Sequence, residues 1–137
     1  MALRAPCPML LLPLVLLLAC LALASGQPCF TQNRLFITHH VNNPRTLAPN
    51  PRAYCSIMMR RRRIYGKLIN TFIHEINKVC TTDGVASGPY KFESKNPFNI
   101  TICTFNPWSI SYTGVSVSEK IVISCWNALP VFYVKNR

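Results

Sequence analysis

The chain is poor in acid: four Asp and Glu stand against fifteen Lys and Arg, and the formal net charge is +11. Asp83 is the only aspartate. It falls in a predicted loop and nothing resembles a nucleophile elbow, which leaves Ser-His-Asp chemistry without support. Histidine is scarce, at three. No Cys or His pair has structural-zinc spacing, so no metal site is expected, and no cofactor is implied. A glycine-rich phosphate loop is missing. So are internal repeats, low-complexity tracts and any second apolar run of membrane-spanning length.

The first apolar run opens the chain. Arg4 precedes "MLLLPLVLLLACLALA", and the small residues Ala24, Ser25 and Gly26 follow. This is the pattern of a cleavable secretory signal over residues 1–26. Cleavage after Gly26 leaves Gln27 first; cleavage after Ala24 and a transmembrane reading are the alternatives. Residues 27–137 then form one domain, secreted and extracellular, whose small core gains from disulfides. Cys7 and Cys20 leave with the signal, while Cys29, Cys55, Cys80, Cys103 and Cys125 remain. Five is odd, so one thiol stays free, pairs between chains or is capped. Spacing alone does not assign the pairs. Loss of Arg4 brings the net charge to +10. A small domain this basic attracts polyanions: RNA or other nucleic acid, heparin-like glycans, or anionic membrane surfaces. Charge does not choose among them.

Along the mature chain, "TQNRLFITHHV" spaces Leu35, Phe36 and His39/His40 as a short helix. "NNPRTLAPNPR" is a connector. A second helix is predicted from near Pro51, with Tyr54, Ile57 and Met58 inward and its end in the arginine run. "LINTFIHE" reads as a strand, and "EINKVC" as a further helical turn or two. "PYKFES", "FNITICTF", "KIVISCW" and "LPVFYV" read as antiparallel strands. Helices first and strands afterwards give an α+β domain with an antiparallel sheet.

Three features carry candidate chemistry. Lys67 stands alone ahead of Asn70-Thr71-Phe72, where a cation is either a solvated edge charge or part of a phosphate site. Arg60, Arg61, Arg62 and Arg63 are consecutive. They fit a solvated helix end that suits the C-terminal dipole, a polyanion patch, or a basic-cluster import signal. Asn99-Ile100-Thr101 is a glycosylation sequon in a secreted chain.

"YCSIMMRRR", "KLINTFIHE", "FNITIC" and "IVISCWNALPV" occur in this order, and together they resemble the pancreatic-type ribonuclease superfamily. The angiogenin and leukocyte branch is the most similar, through the arginine run, "SYTG" and the "CW-x-x-LPV" ending. The resemblance runs from Phe36 to Tyr133. It implies a ribonuclease A-like α+β fold, with short helices on a bent antiparallel sheet and RNA in the cleft.

Residue by residue, the resemblance implies His40 as general base and Lys67 as the cation that stabilises charge on the phosphate. Thr71 is the implied reader of a pyrimidine base, Asn70 its neighbour in the cleft, and His39 stands at a substrate-contacting glutamine position. The family's second histidine, its general acid, belongs after Pro130-Val131, where this chain has Phe132. An acidic residue that orients that histidine is replaced by Val134. Tyr133 is expected on the opposite face by strand alternation, and His74 matches a structural position. The resemblance also implies the bridges Cys55–Cys103 and Cys80–Cys125. A third family bridge is lost at both ends, in the "YG" segment and at Ile110. Cys29 has no family counterpart, and a monomer is expected, with Cys29 able to link two copies. The expected function is therefore RNA or polyanion binding with impaired nuclease chemistry. The alternatives are a weak pyrimidine-specific endoribonuclease and a cationic antimicrobial, host-defence or extracellular signalling protein.

Overall fold

The computed structural model describes residues 27–75 and 78–137. The expected leader lies outside the described residues, and so does the side chain of Cys29. Helix α1 spans Gln27–His40, beginning four residues before the predicted start. It buries Phe36 and His40, four residues apart on one face. Helix α2, Pro51–Arg61, starts as a sequence reader would place it. The Asn50 side chain accepts from the Ala53 N–H at 2.8 Å, and Pro51 takes the first helical position, where its missing N–H costs nothing. Tyr54, Cys55, Met58 and Met59 are buried, whereas Ile57 is only partly so.

Among the described residues seven strands follow: β1 Ile69–Ile73, β2 Gly84–Gly88, β3 Lys91–Ser94, β4 Phe98–Asn106, β5 Ser111–Glu119, β6 Ile121–Trp126 and β7 Leu129–Asn136. They divide into two antiparallel sheets, β1–β4–β5 and β2–β3–β6–β7. Strands β2 and β5 were not predicted, because their Gly and Ser content masks the β pattern. In β5 the glycine is required: a Cβ on Gly114 would stand 2.4 Å from the Pro51 carbonyl oxygen and 2.7 Å from Cys55 Sγ. Helix α2 therefore packs directly onto that strand. The expected helix at "EINKVC" does not form among the described residues. Residues 78–83 make a turn instead, with the Thr81 and Asp83 N–H groups both donating to Lys78 O. No helix of the described residues is long and apolar enough to cross a membrane.

Two buried clusters hold these parts together. Phe36, Ile73, Val79, Phe98, Ile100, Ile121 and Ile123 join α1 to both sheets. Tyr54, Met58, Met59, Ile64 and Phe72 lie between α2 and β1. Each cluster contains one disulfide: Cys80–Cys125 in the first and Cys55–Cys103 in the second. The bridges close loops with sequence separations of 45 and 48. Loop-closure entropy gives each about 4 kcal/mol of stabilisation.

Candidate functional site

His40 ends α1 and is held from both sides. Its Nδ1–H donates to the Thr71 carbonyl of β1 at 2.9 Å, which leaves the lone pair on Nε2. Asn70, one residue earlier, donates from Nδ2 to the His39 carbonyl at 2.7 Å. Two adjacent strand residues thus clamp the last turn of α1 against the sheet. Arg62 completes the clamp, its Nη1 reaching the carbonyls of Ile37 (3.3 Å), Thr38 (2.8 Å) and Val41 (3.0 Å). A guanidinium is suited to this task, because the last carbonyls of a helix lack intrahelical partners and carry its negative pole.

Next to His40 is a cleft of about 210 Å³, lined by Gln32, His39, His40, Lys67, Phe132 and Tyr133 among others. That volume is below the range of pockets that enclose a drug-sized ligand. It fits a phosphate-sized group with the rest of a polymer lying outside. Burial pushes the His40 imidazole down to about 4, against the pull of the Thr71 hydrogen bond, and the nearby Lys67 and His39 lower it further. His39 is lowered from the ordinary value by burial first and Lys67 second. At neutral pH both rings are uncharged, and His40 can accept a proton at Nε2.

Several expected site residues stand differently. Phe132 lines the cleft and has no proton to give. Tyr133 lines it too, contrary to simple alternation. Strand β7 shifts register against β6 twice, passing over Val131 and Val134, but Phe132 and Tyr133 between them pair the consecutive Ser124 and Ile123. The Tyr133 ring stacks on His40 with centroids 5.0 Å apart and planes at 21°. Its hydroxyl donates to Asn136 Oδ1 at 3.2 Å. Burial pushes this phenol up to about 12, with Glu119 adding to the shift and Thr71 opposing it. Val134 lines a separate depression with Val122, Lys135 and Arg137.

Asn70 is 2% exposed and serves the helix end instead of lining the cleft; its Oδ1 has no hydrogen-bond partner among the described residues. The arginine run splits likewise. Arg60, Arg61 and Arg63 are exposed, but Arg62 is committed to α1 and leaves the expected patch. His74 is structural: its ring nitrogens bond Asn42 O at 3.0 Å and Thr101 Oγ1 at 2.7 Å. Asn99 is exposed on β4, while Thr101 of its sequon is buried. Sequence reasoning missed Tyr133 and the capping role of Arg62. The only signal for the first was its position beside Phe132.

This fold is shared with solved ribonucleases. It is similar to green turtle egg-white ribonuclease with a TM-score of 0.72 and 32% identity, over 77% of this chain and 98% of that one. The pancreatic ribonuclease family model matches residues 31–133, and the chain belongs to that family. A ribonuclease of Chelonia mydas is 34% identical over 114 residues, covering 75% of this chain and 96% of the relative. Angiogenin of Saguinus oedipus is 36% identical over 135 residues, covering 88% and 91%.

Proposed function

We propose that the chain is a secreted, cationic protein of the ribonuclease A fold that binds RNA or related polyanions and has lost most nuclease chemistry. Residues 1–26 act as its secretory signal and residues 27–137 as the working domain. Four cysteines of that domain are bridged in pairs, which leaves Cys29 as its fifth cysteine. Cleavage by transphosphorylation needs a base for the ribose 2′-OH, a cation for charge developing on the phosphate, and an acid for the departing 5′-oxygen. His40 takes the first role through Nε2, and Lys67 takes the second. The cleft has no group suited to the third. Phe132 cannot donate, and a phenol raised to about 12 is a poor acid at neutral pH.

The observation that carries this reading is the cleft itself, where His40 and Lys67 share walls with Phe132 and a Tyr133 ring laid over the base. Binding needs only the cations: Lys67 in the cleft and Arg60, Arg61 and Arg63 outside it. The test is turnover of a short RNA with one pyrimidine–purine step, beside an active relative at equal concentration. Loss of a general acid predicts a rate at least about a hundredfold lower. Turnover equal to the relative, and abolished by His40→Ala, would defeat the impaired reading. It would favour the weak or active endoribonuclease that the intact His40–Thr71 geometry still permits.

A further inference from the structure

Among the described residues the two sheets end in four strand edges: β1 and β5 on the first, β2 and β7 on the second. An open edge is a template for another chain, and folded proteins guard theirs. Three of these four are guarded. Beside β1 runs the chain that follows α1, where Val41 bridges Ile73 and the Asn42 N–H donates to Ile73 O at 2.9 Å. Strand β7 contains Pro130 and Lys135 and shifts register twice against β6. Its Pro130 carbonyl accepts from Asn33 Nδ2 of α1 at 2.8 Å. Strand β2 is five residues long, with glycine at both ends and a register shift between Ala86 and Gly88.

Strand β5 has none of these devices. It runs nine residues and pairs β4 along its whole length without a register shift. It holds no Pro, Lys or Arg, and its one charge, Glu119, stands at the end. None of its residues is buried. Alternate N–H and C=O groups of an outer strand point away from the sheet. Among the described residues, no backbone hydrogen bond reaches β5 beyond the β4 ladder.

The apolar row of the sheet stops uncovered at the same edge. Ile100 is buried, and Ile102, two residues on, is only partly so. Val115 opposes Ile102 and is 54% exposed. Thr113 and Val117 stand on either side of it on that face.

We propose that β5 pairs antiparallel with β5 of a second copy, joining the two first sheets edge to edge. The register that overlaps the whole strand is centred on Val115. It sets Val115 against Val115, Thr113 against Val117 and Gly114 against Ser116, and no like charges meet. Val and Thr are strong strand formers, and each Val115 extends the other copy's row from Ile102. A two-fold axis through Val115 satisfies both edges at once and closes the assembly at two copies. Charge also favours a second copy. In a chain with fifteen Lys and Arg, β5 brings no cation into the contact. An acidic extended segment of another protein would find no partner charge there. Both clefts stay open, because His40 is held by β1 at the opposite edge of the sheet. The proposal does not rest on the RNA reading.

The test uses the mature chain with Cys29→Ser throughout, so that no covalent link contributes. Sedimentation equilibrium over a range of protein concentrations should show a weak dimer, as a small contact gives. Added salt should strengthen it by screening the repulsion between two basic copies, the opposite of its effect on RNA binding. Amide hydrogen exchange should slow at alternate residues of β5 as the dimer forms. Val115→Lys, at an exposed position, sets two like charges face to face. It should weaken the dimer at least about tenfold while the melting temperature stays unchanged. Val115→Thr, which keeps the β-branched shape, should retain the dimer. A monomer at every concentration would overturn the proposal and leave the edge to another protein. A dimer that Val115→Lys leaves intact, or exchange slowed only outside β5 in the unmodified strand, would overturn it too.

Discussion

Acid should unfold this protein through His40, and the size of the effect follows from its surroundings. The imidazole is 9% exposed at the end of α1, and its pKa is lowered from 6.5 to about 4. The unfolded chain binds a proton near pH 6.5, whereas the folded chain resists it until near pH 4. Stability is thus fully present above pH 6.5 and is lost as pH falls towards the folded value. A gap of two and a half units, at 1.36 kcal/mol each, sets a limit of about 3.4 kcal/mol, of which about 3 is spent by pH 4. The measurement is urea unfolding at pH 7, 5.5 and 4 for the unmodified protein and for His40→Asn. The asparagine Nδ2 can replace the Nδ1–H donor to Thr71 without titrating. Every other pH-dependent contribution is common to both proteins and cancels in the difference. The unmodified protein should lose about 3 kcal/mol more than the variant between pH 7 and pH 4. Equal losses would refute the account of a buried, neutral His40 poised as a base.

Three further outcomes test the packing and the charge. Arg62→Gln should destabilise the fold by about 1 to 2 kcal/mol in chemical denaturation, since it removes a cation from three carbonyls at a helix C-terminus. Replacing Arg60, Arg61 and Arg63 together by Gln should reduce the slope of log RNA affinity against log salt by about 2, at ~0.7 per single-strand phosphate contact. An unchanged slope would return the run to a solvated helix end. Gly114→Ala should cost at least about 2 kcal/mol or abolish folding, because its methyl would meet the Pro51 carbonyl and the Cys55 sulfur. A melting temperature within experimental error of the parent would contradict the close approach of α2 to β5.

The order of elements was legible because its signals are local. Asn50-Pro51 announces a helix start, and Phe36 with His40 marks a helical face. Lys67 and Asn70-Thr71-Phe72, read with the cysteine pattern, led to the family. What was not legible depends on contacts distant in sequence. Strand β5 has few apolar residues, and its place is set by α2 lying on Gly114. Arg62 resembles its neighbours in sequence, yet its guanidinium alone of the four lies against the carbonyl end of α1. Tyr133 was placed by a period of two, yet its ring reaches the cleft to stack on His40, a partner distant in sequence. Asn70 was expected in the cleft because its neighbours are near it, although a buried amide that holds the His39 carbonyl has no freedom to face it.

The central claim is that a cleft with base and cation lacks an acid, and restoring the acid tests it most directly. Turnover of a defined RNA by Phe132→His is compared with that of the unmodified protein, each prepared beside its His40→Ala counterpart as a control for contaminating nuclease. The account predicts a gain of about 10² or more that disappears with His40→Ala. The new imidazole, beside Lys67 and partly buried, should show that gain best on the acidic side of neutrality. No gain at any pH in a folded variant, or an unmodified protein that already turns over as fast as Phe132→His, would contradict it.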